Sequence, residues 1–373
     1  MWISLSPKLA EIDFASDLDS LAAIETIWAS FSRGEHIVFS DRKTLDHLRD
    51  IGLSIPSRGA ISSVLARFSE LQTLEQCQRF RVLITPSIEQ PFLDGPSSWQ
   101  VPLNHFSQVA LVPACILAEN LRDATAYVSC ATQAIKIRGP KGVKISLTKD
   151  SGGGAEISNK LLELEESRRQ FVLTVTDTDK THPNDDSCTP TKKCAATSAH
   201  SNWVIGHLEL DCSEIENLLP INLIYDSIES SPAAHELSRR LDYLKKFVFN
   251  NTNIHKWFDV KNGVKLFRIM TTNINERERE HWEKSSTAIS YAFQCTQECQ
   301  TNHQCSKEKS KECECVLLPG LGDDTLDRFN SHCSAITIQK QCERIKTSAN
   351  ADDWLELGSK IASWGVALER QRS

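Results

Sequence analysis

The sequence predicts an α/β protein: a parallel-sheet domain in the middle, an α/β region before it, and a mainly helical, cysteine-rich region after it. Three observations lead there. Between residues 109 and 230 short apolar runs alternate with amphipathic stretches, the pattern of strand–helix–strand units on a parallel sheet. One of those runs, FVLTV from Phe171, is unbroken like a buried strand and ends in paired aspartates. After residue 230 the composition shifts to charged helical sequence and clustered cysteines. The expected boundaries are 1–100, 101–230 and 231–373, with the cysteine-rich segment at 295–315.

The N-terminal region reads as a small α/β unit. DLDSLAAIETIWASFSRG carries apolar residues at helical spacing and stops near Gly34. EHIVFS is a short strand. DRKTLDHLRDIG is a helix opened by Asp41 as N-cap and closed by Gly52. RGAISSVLARFSELQ is a further helix and RFRVLITP a strand. SIEQPFLDGPSSWQVP, rich in Pro, Gly and Ser, reads as a linker.

The central domain opens with the strand VALVPACILAEN, ending at Glu119, and the helix LRDATAYVSCATQAI, with Asp123 in its first turn. VKISLT is the second strand. It feeds KDSGGGAEIS and the helix ISNKLLELEESRR. FVLTV follows, with Asp177 and Asp179 at its end. In an extended chain, side chains at i and i+2 share a face. Two carboxylates held that close invite a divalent cation between them. The polar loop THPNDDSCTPTKKCAATSAHSN is expected to be mobile, and WVIGHLEL is a fourth strand. Beyond it, Glu209, Asp211, Glu214 and Glu216 form a further acidic stretch.

The order Glu119, glycine turn (Gly152, Gly153, Gly154), then Asp177 and Asp179 resembles the Toprim domain, with its Rossmann-like parallel sheet, over roughly residues 109–220. LAENLRDATAY is similar to that family's first motif and VTDTD to its last. EIENLLP resembles the segment that trails the core in some defence-associated members related to the overcoming-lysogenization-defect nucleases. The resemblance implies a metal-dependent nuclease, with a role in defence against phage. Asp177, Asp179 and Glu119 would be catalytic. Asp123 and Glu216 would join them around Mg²⁺ or Mn²⁺, ions that prefer oxygen ligands. Glycines 152–154 serve either as a flexible turn or as a place where backbone N–H groups approach a phosphate. The implied partners are nucleic acid, DNA rather than RNA, and a regulatory protein such as a separate ATPase, since the chain has no P-loop motif.

The C-terminal region opens with the amphipathic helix HELSRRLDYLKKFVFN, passes WFDVKNGVKLFRIM (a strand pair, or a loop and short helix), and ends in a helix from about Asp352. Cys295, Cys299, Cys305, Cys313 and Cys315, with His303 among them, offer soft ligands for a structural Zn²⁺, or form a reduced, exposed loop.

Composition narrows the classes. A net charge of −7 argues against a protein that coats DNA, so any nucleic-acid contact must be local. Thirteen cysteines, an odd number with no export signal, point to reduced thiols or metal in a cytoplasmic protein. No apolar run is long enough to span a membrane. Two other functions compete. DxDxT at Asp177–Thr181, with Gly322, Asp323 and Asp327, matches the haloacid-dehalogenase phosphatases, where Asp177 would be the nucleophile. A non-catalytic, Toprim-like scaffold that binds a partner is the third reading.

Overall fold

In the computed structural model, residues 1–229, 233–247, 252–265, 275–288 and 315–369 are described. Contacts divide the chain into two units along lines other than the expected boundaries. The first unit holds Met1–Val175, Lys193–Leu208 and Leu355–Ser373; the second holds Thr176–Lys192 and Glu209–Trp354.

The first unit begins with a strand that composition alone did not mark. β1 (Trp2–Leu5) is buried along its whole length. Four residues at a chain end carry too little pattern to register as a strand. β1 lies in parallel between β2 (Ile37–Phe39) and β3 (Arg81–Thr85). The expected linker is instead structured. Its residues form β4 (Phe92–Leu93) and β5 (Ser98–Pro102), an antiparallel pair, and β5 also runs parallel to β3. Gly95, at φ +74°, lies in the turn between β4 and β5. Turn-forming residues had here marked a hairpin rather than a break between domains.

Helices cover this sheet where caps start them. Asp17 accepts the Ser20 N–H ahead of Leu18–Ser32, and Asp41 accepts the Thr44 N–H ahead of Arg42–Asp50. The expected helix through RGAISSVLARFSELQ is two helices, Ile55–Ala66 and Phe68–Gln76. Arg67, at φ −107° and ψ 19°, leaves helical geometry between them.

The second sheet of this unit comprises β6 (Ala114–Ala118), β8 (Leu147–Ser151), β9 (Val172–Thr176) and β10 (Ile205–Glu209), in the order β10-β9-β6-β8. β6 runs parallel to both β8 and β9. Leu121–Arg138 and Ile157–Ser167 are the crossover helices. Because β8 and β9 lie on opposite sides of β6, the strand order reverses there, the topological switch point at which open α/β sheets bind ligands. The run VKISLT splits. β7 (Val143–Ile145) pairs antiparallel with β13 (Val366–Leu368), and only the next residues enter β8. The expected terminal helix therefore stops early, at Ala362, and the chain returns as a strand.

The second unit is mainly helical. Ile221–Ile228 packs against Thr325–Ala335, with Ala234–Phe247 and Ile338–Lys346 alongside. β11 (Gly263–Lys265) and β12 (Val316–Pro319) form a small antiparallel pair. Its interior is filled by Leu223, Ile224, Leu241, Phe258, Phe329 and Trp354. No helix among the described residues is long and apolar enough to cross a membrane. The stretch expected as a mobile loop contains a helix, Thr189–His200, with Cys194 fully buried.

Candidate functional site

Glu119, Asp123 and Gly152–Gly154 belong to the first unit; Asp177, Asp179 and Glu216 belong to the second. In the first unit Glu119 leaves the fully buried strand ACILA and is itself half-buried. Asn120 then caps the crossover helix, taking the N–H groups of Arg122 and Asp123 at 3.0 and 3.1 Å. Asp123, buried, accepts the Asn120 N–H in return at 3.3 Å. This reciprocal capping box accounts for an acid at that position by helix initiation alone. The expectation that Asp123 serves a metal has no support from this geometry.

The glycine turn is organised against the end of β6. The Gly152 N–H donates to the Ala118 carbonyl at 2.7 Å, and the Gly154 N–H to the Glu119 carbonyl at 2.9 Å. The Gly153 N–H makes a long 3.4 Å bond to the Ser151 hydroxyl, which itself donates to the Glu119 carbonyl. The phosphate-cradle expectation for Gly152 and Gly154 is corrected accordingly: their donors already hold the backbone of Glu119. Gly152 is required for another reason. A Cβ there would lie 2.5 Å from the Ile157 Cα, so the turn packs directly on the helix that follows. Gly153 and Gly154, at φ +71° and +69°, have open space but need the left-handed region.

In the second unit the aspartate pair is not extended. β9 stops at Thr176, and Asp179 sits at φ +53°. The N–H groups of Thr178 and Asp179 both donate to the Ser213 carbonyl, at 3.0 and 3.1 Å. The buried Thr178 hydroxyl donates to the Cys212 carbonyl. The strand has ended and the Asp179 backbone is left-handed, so the same-face rule for a strand does not apply to the two acids. Asp177 is held from both ends. Its carbonyl accepts the Thr191 hydroxyl at 2.6 Å, and its carboxylate accepts the Ile215 N–H at 3.2 Å.

That last bond draws the acidic stretch into the site. Ile215 lies between Glu214 and Glu216, the latter only 3% exposed. Lys261 bridges both carboxylates, at 3.0 Å to Glu214 and 3.3 Å to Glu216. Burial raises the Glu214 carboxyl above its ordinary range, and the neighbouring Glu216 charge adds to this; Lys261 works against it. Burial opposes charge on Lys261, but the two carboxylates outweigh it and hold the ammonium above its usual value. Glu216 thus already has a cation beside it, supplied by the chain. Asn217, fully buried, ties the turn down. It accepts the Glu214 N–H at 3.0 Å and donates to the carbonyls of His255 and Phe258 at 2.6 and 2.9 Å.

Sequence reasoning singled out Glu216, noted Glu214 only as one of four acids, and missed Lys261. A lysine 45 residues downstream of Glu216 in an ordinary polar stretch carries no signal. Among the described residues, no three His, Cys, Asp or Glu side chains stand together at metal-ligand spacing. Of the expected zinc ligands, Cys315 is buried at the start of β12, whereas Cys295, Cys299, Cys305 and Cys313, with His303, lie outside the described residues. Asp323 and Asp327, the second half of the phosphatase pattern, sit at the start of the helix Thr325–Ala335 and are exposed, while Gly322 takes φ +95° ahead of it. Comparison with protein-family models, curated proteins and solved structures finds no match to this chain.

Proposed function

We propose that the chain is a metal-dependent nuclease with a Toprim-like central sheet, cleaving phosphodiester bonds with Asp177 at the heart of its site. The carrying observation is the setting of Asp177: it follows a fully buried parallel strand, and a backbone N–H between the half-buried Glu214 and the buried Glu216 holds its carboxylate. A carboxylate fixed in this way needs little reorganisation to receive a hard cation. Asp177 would hold Mg²⁺ or Mn²⁺, with Asp179 as a further ligand or proton-transfer group; Glu119 enters only through the resemblance and belongs to the first unit. Bound, the ion would polarise the phosphate and stabilise the leaving oxygen. Burial raises the Glu214 carboxyl above its ordinary range, which favours a proton-transfer role for it. Lys261 pairs with Glu216 and with Glu214 on either side of Ile215, whose N–H meets Asp177.

DNA is the proposed substrate, a separate ATPase the proposed regulator and phage defence the setting; these follow from the resemblance. The test is cleavage of plasmid DNA with Mg²⁺ or Mn²⁺ by wild type, Asp177→Asn and Glu119→Gln. Loss in both variants, with circular dichroism unchanged, supports the site. Cleavage that survives Asp177→Asn refutes it. Phosphate release from p-nitrophenyl phosphate without DNA cleavage would transfer Asp177 to the phosphatase reading, and inactivity under every metal would leave the scaffold.

A further inference from the structure

The first unit contains a cavity of about 300 Å³ that the nuclease reading does not use. Its wall is largely apolar, with Ile37, Leu74, Ile135, Pro140, Val143 and Val366 among its residues. Arg79 and Arg138 also line it. Arg79 forms a two-pronged pair with Glu356, at 2.6 and 3.3 Å, and both side chains are about half exposed. Glu356 also feels the positive charges of Lys360 and Arg138. Three cations therefore gather around one carboxylate at the edge of an apolar hollow. Cys77, exposed, is part of the same wall.

We propose that this cavity binds a small amphipathic anion, with its aliphatic body in the hollow and its carboxylate or phosphate head on the Arg79 fork. An apolar pocket with a few convergent polar groups is the ordinary form of a small-molecule site. A guanidinium fork matches the planar geometry of a carboxylate and the oxygens of a phosphate. Glu356 occupies that fork in the free protein and stands in for the ligand head. At roughly 30 Å³ per heavy atom, the share of a liquid water, the cavity takes about ten heavy atoms. That is the size of octanoate.

The site can be read through Cys77. The full chain is treated with iodoacetamide, and alkylation of Cys77 is followed by peptide mass spectrometry against octanoate, octyl phosphate or octanol. Both anions, or one of them, should protect Cys77 at concentrations roughly tenfold or more below octanol, since a hydrogen bond to a charged group is involved. Which anion protects better identifies the head group. Arg79→Ala should remove that advantage. Glu356→Gln is the sharper variant, because it breaks only an exposed ion pair, which contributes little to stability. It should lower the protecting concentration of the anion several-fold by releasing the fork. Equal protection by octanol, no protection by any probe, or an unchanged or weaker anion effect in Glu356→Gln would overturn the proposal.

Discussion

The tie made by Asn217 carries a definite energy. Its side chain is fully buried and makes three hydrogen bonds, one accepted and two donated. Truncation in Asn217→Ala removes all three and leaves the Glu214 N–H and the carbonyls of His255 and Phe258 without this partner. At about 1 kcal/mol net per bond, and more for each group left unpaired in the interior, the cost is about 3–5 kcal/mol. That is a large share of an ordinary domain's stability of about 5–15 kcal/mol. The loss falls on the turn that positions Ile215 against Asp177, so local opening should respond most. At about 1.4 kcal/mol per factor of ten, amide exchange in peptides covering 211–217 and 254–258 should accelerate by roughly two orders of magnitude or more. Peptides over β1–β3 are the internal reference, because these strands belong to the first unit. Asn217→Asp, which keeps the volume but aims a carboxylate oxygen at two carbonyls, should be at least as damaging. An acceleration below about fivefold in the target peptides, near 1 kcal/mol, would refute the assignment of Asn217 as the clamp.

Three further outcomes follow from the same geometry. Lys261→Met leaves Glu214 and Glu216 without their shared cation and should cost about 3 kcal/mol at neutral pH, read from urea midpoints. A carboxyl whose pKa is raised on folding stays protonated in the native state to higher pH. The penalty should therefore fade as pH drops toward the ordinary glutamate range and grow as pH rises through the raised value of Glu214; a pH-independent penalty would contradict the electrostatic account. Gly152→Ala should destabilise more than Gly153→Ala, since the first puts a Cβ 2.5 Å from the Ile157 backbone, whereas the second adds only left-handed strain of about 1–2 kcal/mol. Thermal unfolding of the two variants checks the order. Asp123→Ala should cost about 1 kcal/mol in the same measurement through loss of the capping box.

The nuclease and the cavity readings are separable. Asp177→Asn addresses the first and leaves Arg79 untouched; Glu356→Gln addresses the second and lies outside the acidic turn. Failure of one therefore says nothing about the other.

By itself the sequence determined the α/β class, the strands ACILA and FVLTV with the two crossover helices between them, and several helix starts. Those features are local. Asp41 caps a helix because a short carboxylate reaches its own backbone three residues on, and ACILA and FVLTV are strands because unbroken apolar runs of that length must be covered on both faces. Only the tertiary structure decided the rest. The linker became a hairpin because β3 offered β5 an edge. VKISLT was divided because residues 366–368 return more than two hundred positions later to pair with its first half. Asp177 and Asp179 lie outside the strand because β9 stops at Thr176 and the N–H groups of Thr178 and Asp179 go to the Ser213 carbonyl, with Asp179 left-handed. Glu216 met Lys261 rather than a loop in solvent. Each of these depends on a partner distant along the chain, and the energy of such a contact leaves no periodicity in the residues on either side of it.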